Sequence, residues 1–185
     1  SLIDGELSKL AGPEEPMDGL RFNDGKCDDA GRFWAGTMDM AEQGPKGALY
    51  VLQNNKEIKR VLEGVTVSNG LCWDAEMETF YYVDSPTKRV MEYSLDSVTL
   101  ELSEPRVVYT VEEEDVYPDG MSIDLEGNLW LALWNGFGIL CIEPESGKVI
   151  QKIDVPCKKV TSCCFGGSVF TDLYITTASK DMSAA

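Results

Sequence analysis

Asp124-Leu-Glu-Gly-Asn-Leu-Trp-Leu-Ala132 decides the fold. A turn of Asp, Gly and Asn runs straight into an apolar strand carrying an aromatic residue, which is the composition of a β-turn between strands. The same plan appears at Asp28-Asp-Ala-Gly-Arg-Phe-Trp-Ala-Gly-Thr37 and at Asp74-Ala-Glu-Met-Glu-Thr-Phe-Tyr-Tyr-Val-Asp84. A looser copy runs from Phe165-Gly-Gly167 to Leu173-Tyr-Ile-Thr-Thr177. Aligned on Trp34, Tyr81, Trp130 and Tyr174, successive copies are 47, 49 and 44 residues apart.

Further strands follow in each unit, as in Ala48-Leu-Tyr-Val-Leu52 and Ile139-Leu-Cys-Ile142, and a final amphipathic strand such as Lys148-Val-Ile-Gln-Lys-Ile153. No helical periodicity exceeds two turns. Four short strands per unit at a period near 45 residues are the pattern of β-propeller blades. One such sheet cannot hide both faces, so blades stack, and the repeated aromatic is expected to fill the space between them. The competing reading is an open β-sandwich. The expectation is therefore an all-β chain, a single partial propeller domain over 1–185 with about four blades. The last copy stops soon after its second strand, near Ala178-Ser-Lys-Asp-Met182, which implies an incomplete ring.

Composition narrows the partners. The chain has 16 basic and 32 acidic residues, a net charge of −16. Such a surface repels phosphate backbones and anionic lipid, so neither nucleic acid nor membrane is an expected partner. No stretch approaches the ~20 apolar residues of a membrane helix, and the start resembles neither a signal nor a transit peptide. A cytoplasmic location is expected. The run Glu112-Glu-Glu-Asp115 reads as a solvated loop. The six cysteines contain no Cys-x-x-Cys pair, which argues against structural zinc, and read as small buried hydrophobes in a reducing compartment. Trp73 and Trp134 read as core.

Histidine is absent. Ser-His-Asp and Cys-His catalysis are thereby excluded from this chain, as are His-ligated metals. The loop Asp24–Asp29 lacks EF-hand spacing, and neither a phosphate-binding Gly-x-x-x-x-Gly-Lys loop nor Gly-x-Ser-x-Gly is present.

A second signal precedes the aromatic elements: Arg21-Phe-Asn-Asp-Gly25, Val67-Ser-Asn-Gly70 and Tyr117-Pro-Asp-Gly120, with Val160-Thr-Ser162 in the fourth unit. Asp24, Asn69 and Asp119 lie 45 and 50 residues apart, each directly before Gly. In a propeller, matching positions of different blades meet at the axis. Short oxygen-bearing side chains meeting there suit Ca²⁺, Mg²⁺ or Mn²⁺. Taken singly, Asn-Gly and Asp-Gly are ordinary turn dipeptides, and Gly is expected to let the chain turn into the strand.

These stretches carry a resemblance. Arg21-Phe-Asn-Asp-Gly-Lys26, Gly31-Arg-Phe-Trp-Ala-Gly-Thr-Met38, Ser68-Asn-Gly-Leu71, Phe80-Tyr-Tyr-Val-Asp-Ser85, Pro118-Asp-Gly-Met121 and Thr161-Ser-Cys-Cys-Phe-Gly-Gly167 resemble the regucalcin (SMP-30), gluconolactonase and luciferin-regenerating enzyme family. The resemblance spans the chain from about Asp18 onward and implies a six-bladed propeller that hydrolyses sugar lactones with one divalent ion. It implies Asn69 and Asp119 as metal ligands, Asp119 also as general base, and Arg21, Asn23, Asp24 and Glu42 as substrate-binding residues. The ion implied is Ca²⁺ first, with Zn²⁺, Mn²⁺ and Mg²⁺ as alternatives. The family's remaining ligand, a Glu of the first blade, has no counterpart here, so two of three protein ligands are expected and the fragment itself is expected to bind metal weakly. The mechanism implied is water attack on the lactone carbonyl with Asp119 taking the proton. A non-enzymatic calcium-responsive regulator and a metal-free interaction propeller stand as alternatives. Oligomeric state is open.

Overall fold

The computed structural model describes residues 2, 3, 6–13, 17–74, 76 and 78–180. Of the sequence-derived expectations, the turn residues Ala75 and Met77 and the end at Asp181 and Met182 lie outside the described residues. Among those described, strands dominate, and the one helical element is a 3-10 turn at Ser85–Thr87.

The strands are β1 (Leu2–Ile3), β2 (Glu6–Leu7), β3 (Leu20–Cys27), β4 (Phe33–Asp39), β5 (Gly47–Leu52), β6 (Ile58–Val65), β7 (Ser68–Asp74), β8 (Thr79–Asp84), β9 (Arg89–Ser94) and β10 (Arg106–Thr110). They continue with β11 (Tyr117–Ile123), β12 (Leu129–Trp134), β13 (Gly138–Glu143), β14 (Lys148–Asp154), β15 (Val160–Gly166) and β16 (Asp172–Thr177). Strands pair with their sequence neighbours into three four-stranded sheets, β3–β6, β7–β10 and β11–β14, and two two-stranded pairs, β1–β2 and β15–β16. The 45-residue period is thus one up-and-down sheet per repeat.

The chain divides into two compact units, Ser1–Ser68 and Asn69–Ala185. In the first, the inner strands β4 and β5 are almost wholly buried, with Trp34, Leu49 and Val51 fully so. In the second, the sheets stack face to face. Tyr81, Val83, Val90, Met121, Leu131 and Ile142 form one core between β7–β10 and β11–β14. Ala132, Ile139, Val160 and Cys163 form another against β15–β16, with Trp130 packed on it. Each large side chain so buried contributes about 1.5–3 kcal/mol of transfer free energy, which holds sheets that could not hide their faces alone.

The repeated turn has a specific cause. Asp28 accepts hydrogen bonds from the Ala30 and Arg32 amides, from Arg32 Nε at 2.6 Å and from Trp34 Nε1 at 2.8 Å. Asp124 does the same one unit later, accepting from the Glu126 and Asn128 amides, Asn128 Nδ2 and Trp130 Nε1 at 2.8 Å. The carboxylate closes the turn and pins the indole, so Asp and Trp six positions apart act together. Gly31 and Gly127 supply the left-handed residue the turn requires.

Four expectations need correction. Tyr174 aligns with the buried Trp34 and Tyr81 and the half-buried Trp130 but is 55% exposed, because β16 is the outer strand of a two-stranded pair and the described residues place no further strand over it. The strand Lys148–Asp154 is the outer edge of its sheet and is mostly exposed, with Ile153 alone turned partly inward, so it is not amphipathic in effect. Cys72, Cys141 and Cys163 are buried, but Cys27 and Cys164 are exposed and Cys157 is half-buried. Burial pushes the Cys141 thiol up to about 11, so it stays protonated. Trp73 and Trp134 are half-buried rather than core, the latter with Lys159 Nζ 4.9 Å from its ring centroid. The acidic run at 112–115 is exposed, as expected, and Lys88 ties it down by donating to the Glu113 and Glu114 carbonyls.

Candidate functional site

The three dipeptides ending in Gly are not turns. Asn69-Gly70 lies inside β7 and Asp119-Gly120 inside β11, and neither glycine has a positive φ. Their glycines answer to crowding instead. A Cβ on Gly70 would stand 2.7 Å from the Asp119 carbonyl oxygen, and one on Gly120 would stand 2.4 Å from Ser162 Oγ. First strands of successive sheets in this unit therefore run backbone to backbone at these positions. The turn reading is corrected: glycine is needed for close approach, not for a left-handed bend.

The ladder is interrupted at the same places. In β11 the register jumps between Pro118, paired with Leu133, and Met121, paired with Leu131, so Asp119 and Gly120 together oppose one residue. In β3 the jump falls between Phe22 and Gly25, which sets Asn23 and Asp24 opposite Gly36. In β15 it falls at Thr161. Such bulges re-aim side chains that a regular pleat would turn to one face or the other. Candidate residues thus sit on bulges in both units, and no residue type in the sequence announces this.

In the second unit the structure draws Asn69 and the Pro118–Asp119 segment together. Asn69 is buried, and its Nδ2 donates to Ser85 Oγ at 2.7 Å. Ser85 Oγ in turn donates to the Pro118 carbonyl at 2.6 Å. Asp119 is half-buried beside it. Ser85 opens the 3-10 turn after β8 and is itself buried. It stands in the stretch Phe80–Ser85 that carries the family resemblance, yet the sequence gives it no role. Its neighbours become visible only through contacts 16 and 33 residues away.

In the first unit Arg21 is exposed on β3 and donates from Nη1 to Asn23 Oδ1 at 2.8 Å, while Asn23 Nδ2 donates to the Ser68 carbonyl at 2.8 Å. The Asn23 amide is thereby fixed in one orientation. Asp24 is half-buried and accepts from the Gly25 amide at 2.8 Å. It borders a cavity of about 340 Å³ walled by Leu10, Phe22, Phe33, Tyr50 and Ile58. Burial there raises the Asp24 carboxyl above its ordinary value, against the Gly25 amide and Lys26, which pull it down. Glu42 is exposed on the turn after β4, with a left-handed φ of 54°. That turn is held by Asp39, which accepts from Lys46 Nζ at 2.7 Å and from the Ala41 and Gln43 amides.

The donor set at Asn69 and Asp119 is an amide and a carboxylate, both hard oxygen ligands. Among the described residues no group of three or more His, Cys, Asp or Glu comes together. An ion held here would rest on these two side chains with its other positions open to water or substrate, which Ca²⁺ and Mg²⁺ accept. The residues fit such an ion.

Stacked up-and-down sheets with bulged first strands define a protein of the β-propeller class. The chain belongs to the family described as SMP-30/Gluconolactonase/LRE-like region, which it matches over residues 1–179. It is 42% identical over 182 residues to a Bacillus subtilis protein assigned as a sugar lactone lactonase, YvrE, covering 98% of this chain and 62% of that one. It is 47% identical over 166 residues to regucalcin of Danio rerio, covering 89% and 56%. Among solved structures it is similar to a calcium-binding protein, regucalcin, from Agrobacterium tumefaciens str. C58, with a TM-score of 0.89 at 26% identity over 97% of this chain and 61% of the other. The chain spans about six tenths of the length of the relatives it matches. No helix among the described residues is long and apolar enough to cross a membrane.

Proposed function

We propose that this chain carries the metal-binding and general-base residues of a divalent-cation-dependent sugar lactone hydrolase. The observation that carries the reading is the pairing of a buried Asn69 amide with the bulged Asp119 segment, through Ser85. Membership of the family and similarity to a protein assigned as a lactonase supply the reaction class.

Asn69 and Asp119 would hold the cation through oxygen. When bound, such an ion polarises a carbonyl and acidifies water. The Asp119 carboxylate takes a proton from water, the water oxygen bonds to the lactone carbonyl carbon, and the ring C–O bond breaks as the leaving ring oxygen takes that proton back from Asp119, giving the hydroxy acid. Arg21, Asn23 and Asp24 on β3, and Glu42 on the turn after β4, are proposed to bind the substrate. Arg21 holds Asn23 rigid, which favours a single hydrogen-bonding pattern toward sugar hydroxyls.

The test is acid release from gluconolactone with and without added Ca²⁺, Mn²⁺ or Zn²⁺. Asp119→Ala is expected to lower the metal-dependent rate ~10²–10⁴-fold, as loss of a general base does. A rate within about threefold of the unsubstituted protein would falsify the assignment. A second reading, a calcium-binding regulator without catalysis, is favoured by the similarity to a calcium-binding regucalcin. Metal binding without any acid release would select it.

A further inference from the structure

Asparagine is an awkward cation ligand, because only one end of its amide carries an oxygen. The other end is a pair of N–H donors, and a half-turn about the last side-chain bond exchanges them. Something must choose the orientation at a buried Asn69. Ser85 is placed to do so. A serine hydroxyl has one proton, and here it goes to the Pro118 carbonyl, a group that can only accept. Toward Asn69, Ser85 Oγ is therefore left with lone pairs alone. It can meet the NH2 end of the amide and not the oxygen, as the 2.7 Å contact from Nδ2 records.

We infer that Ser85 is a positioning residue: by spending its proton on Pro118 it directs the Asn69 NH2 toward itself and so turns Oδ1 to the cation. This rests on the metal reading above. The same hydroxyl meets the Pro118 carbonyl, one residue before Asp119. Pro118 has no N–H, and alanine at 85 would leave both the amide and the carbonyl without this partner.

A carboxylate has two equivalent oxygens and needs no such choice. The inference therefore requires that the Ser85 effect depend on residue 69 being an amide. The chain is titrated with Mn²⁺ alone, free Mn²⁺ being read by electron paramagnetic resonance. Ser85→Ala is expected to weaken binding roughly 10–100-fold, the usual size of an outer-shell loss. In an Asn69→Asp background the same change is expected to alter binding by about twofold or less. Equal losses in both backgrounds would mean that Ser85 acts through general packing, and would overturn the inference. A metal-free readout separates it from the function proposal. Exchange of the Asn69 side-chain NH2 protons, followed by NMR, is expected to quicken at least ~tenfold in Ser85→Ala. Unchanged exchange overturns the inference whatever the metal does. Failure of the unsubstituted chain to take up Mn²⁺, with the exchange effect present, overturns the metal reading and with it the purpose assigned to Ser85.

Discussion

At the scale of single residues, two aspartates explain the repeat better than the aromatics that reveal it. Asp28 and Asp124 each gather backbone amides and an indole N–H around one carboxylate. Hydrogen bonds to a charged group contribute about 1.5–3 kcal/mol apiece when partly buried, and removing the shared acceptor strands every donor at once. Asp124→Ala is expected to lower unfolding free energy by about 2–4 kcal/mol in urea denaturation. Trp130→Phe, which removes one donor and some volume but keeps an aromatic ring, should cost less, about 1–2 kcal/mol. Equal costs for the two would show that ring packing, not the carboxylate, holds the turn. The spacing of these residues was legible in the sequence, but their link was not. An Asp before Gly reads as a turn former, and nothing in a linear pattern says that its second oxygen reaches an indole six residues on.

At the scale of the strand, the informative residues are the glycines that failed to be turns. Gly70 and Gly120 lie in extended segments whose neighbours are 2.7 Å and 2.4 Å from where a Cβ would stand. Gly120→Ala is expected to destabilise by about 2–3 kcal/mol through overpacking, and Gly70→Ala similarly, since the atom it meets is backbone and cannot rotate away. At Gly64, where φ is 70° and no atom lies within 4 Å, asparagine should be tolerated because it enters the left-handed region readily. Thermal denaturation distinguishes the cases, and the contrary result is Asn tolerated at 70 and 120 as well. Recurrence of Asn-Gly and Asp-Gly at blade spacing was legible. The bulges were not, because a bulge is a count of residues against a partner strand that the sequence does not specify.

The turn bearing Glu42 gives a pH dependence at the same scale. The Lys46 ammonium hydrogen-bonded to Asp39, with the Ala41 and Gln43 amides, holds the Asp39 carboxyl below the ordinary Asp value. A group depressed in the folded state stabilises it above the unfolded value and loses that contribution as pH falls through the folded one. Protection of the Ala41 and Gln43 amides should therefore persist at pH 5 and fade only below the ordinary Asp range of about 3.9. Lys46→Ala should move the Asp39 midpoint, read by carboxyl NMR, up toward that range. No movement would assign the shift to the backbone donors.

At the scale of the whole molecule, a net charge of −16 attracts any cation, so weak uptake of metal proves little. Salt separates the two kinds of binding. Diffuse attraction by exposed carboxylates is screened within ~8 Å at physiological ionic strength, whereas ligation by a buried amide and a half-buried carboxylate survives added salt. Occupancy of the proposed Asn69–Asp119 site should stabilise the chain by mass action, and Asn69→Ala should abolish the Mn²⁺-dependent rise in melting temperature at high salt. Exposed acidic residues such as Glu112 and Glu113 should be replaceable without affecting it. Family and fold class were legible at this scale because long ordered motifs recur. The hydrogen bonds that join Asn69 to Pro118 were not, since they run through Ser85, which no spacing singles out.

The most direct measurement is anomalous diffraction from a crystal of this chain soaked in Mn²⁺. A peak bonded by both Asn69 Oδ1 and an Asp119 carboxylate oxygen is expected, at roughly 2.0–2.6 Å, the range for hard cations on oxygen. A peak held by exposed carboxylates elsewhere, or Asn69 and Asp119 oxygens more than about 8 Å apart and so out of reach of one ion, would contradict it.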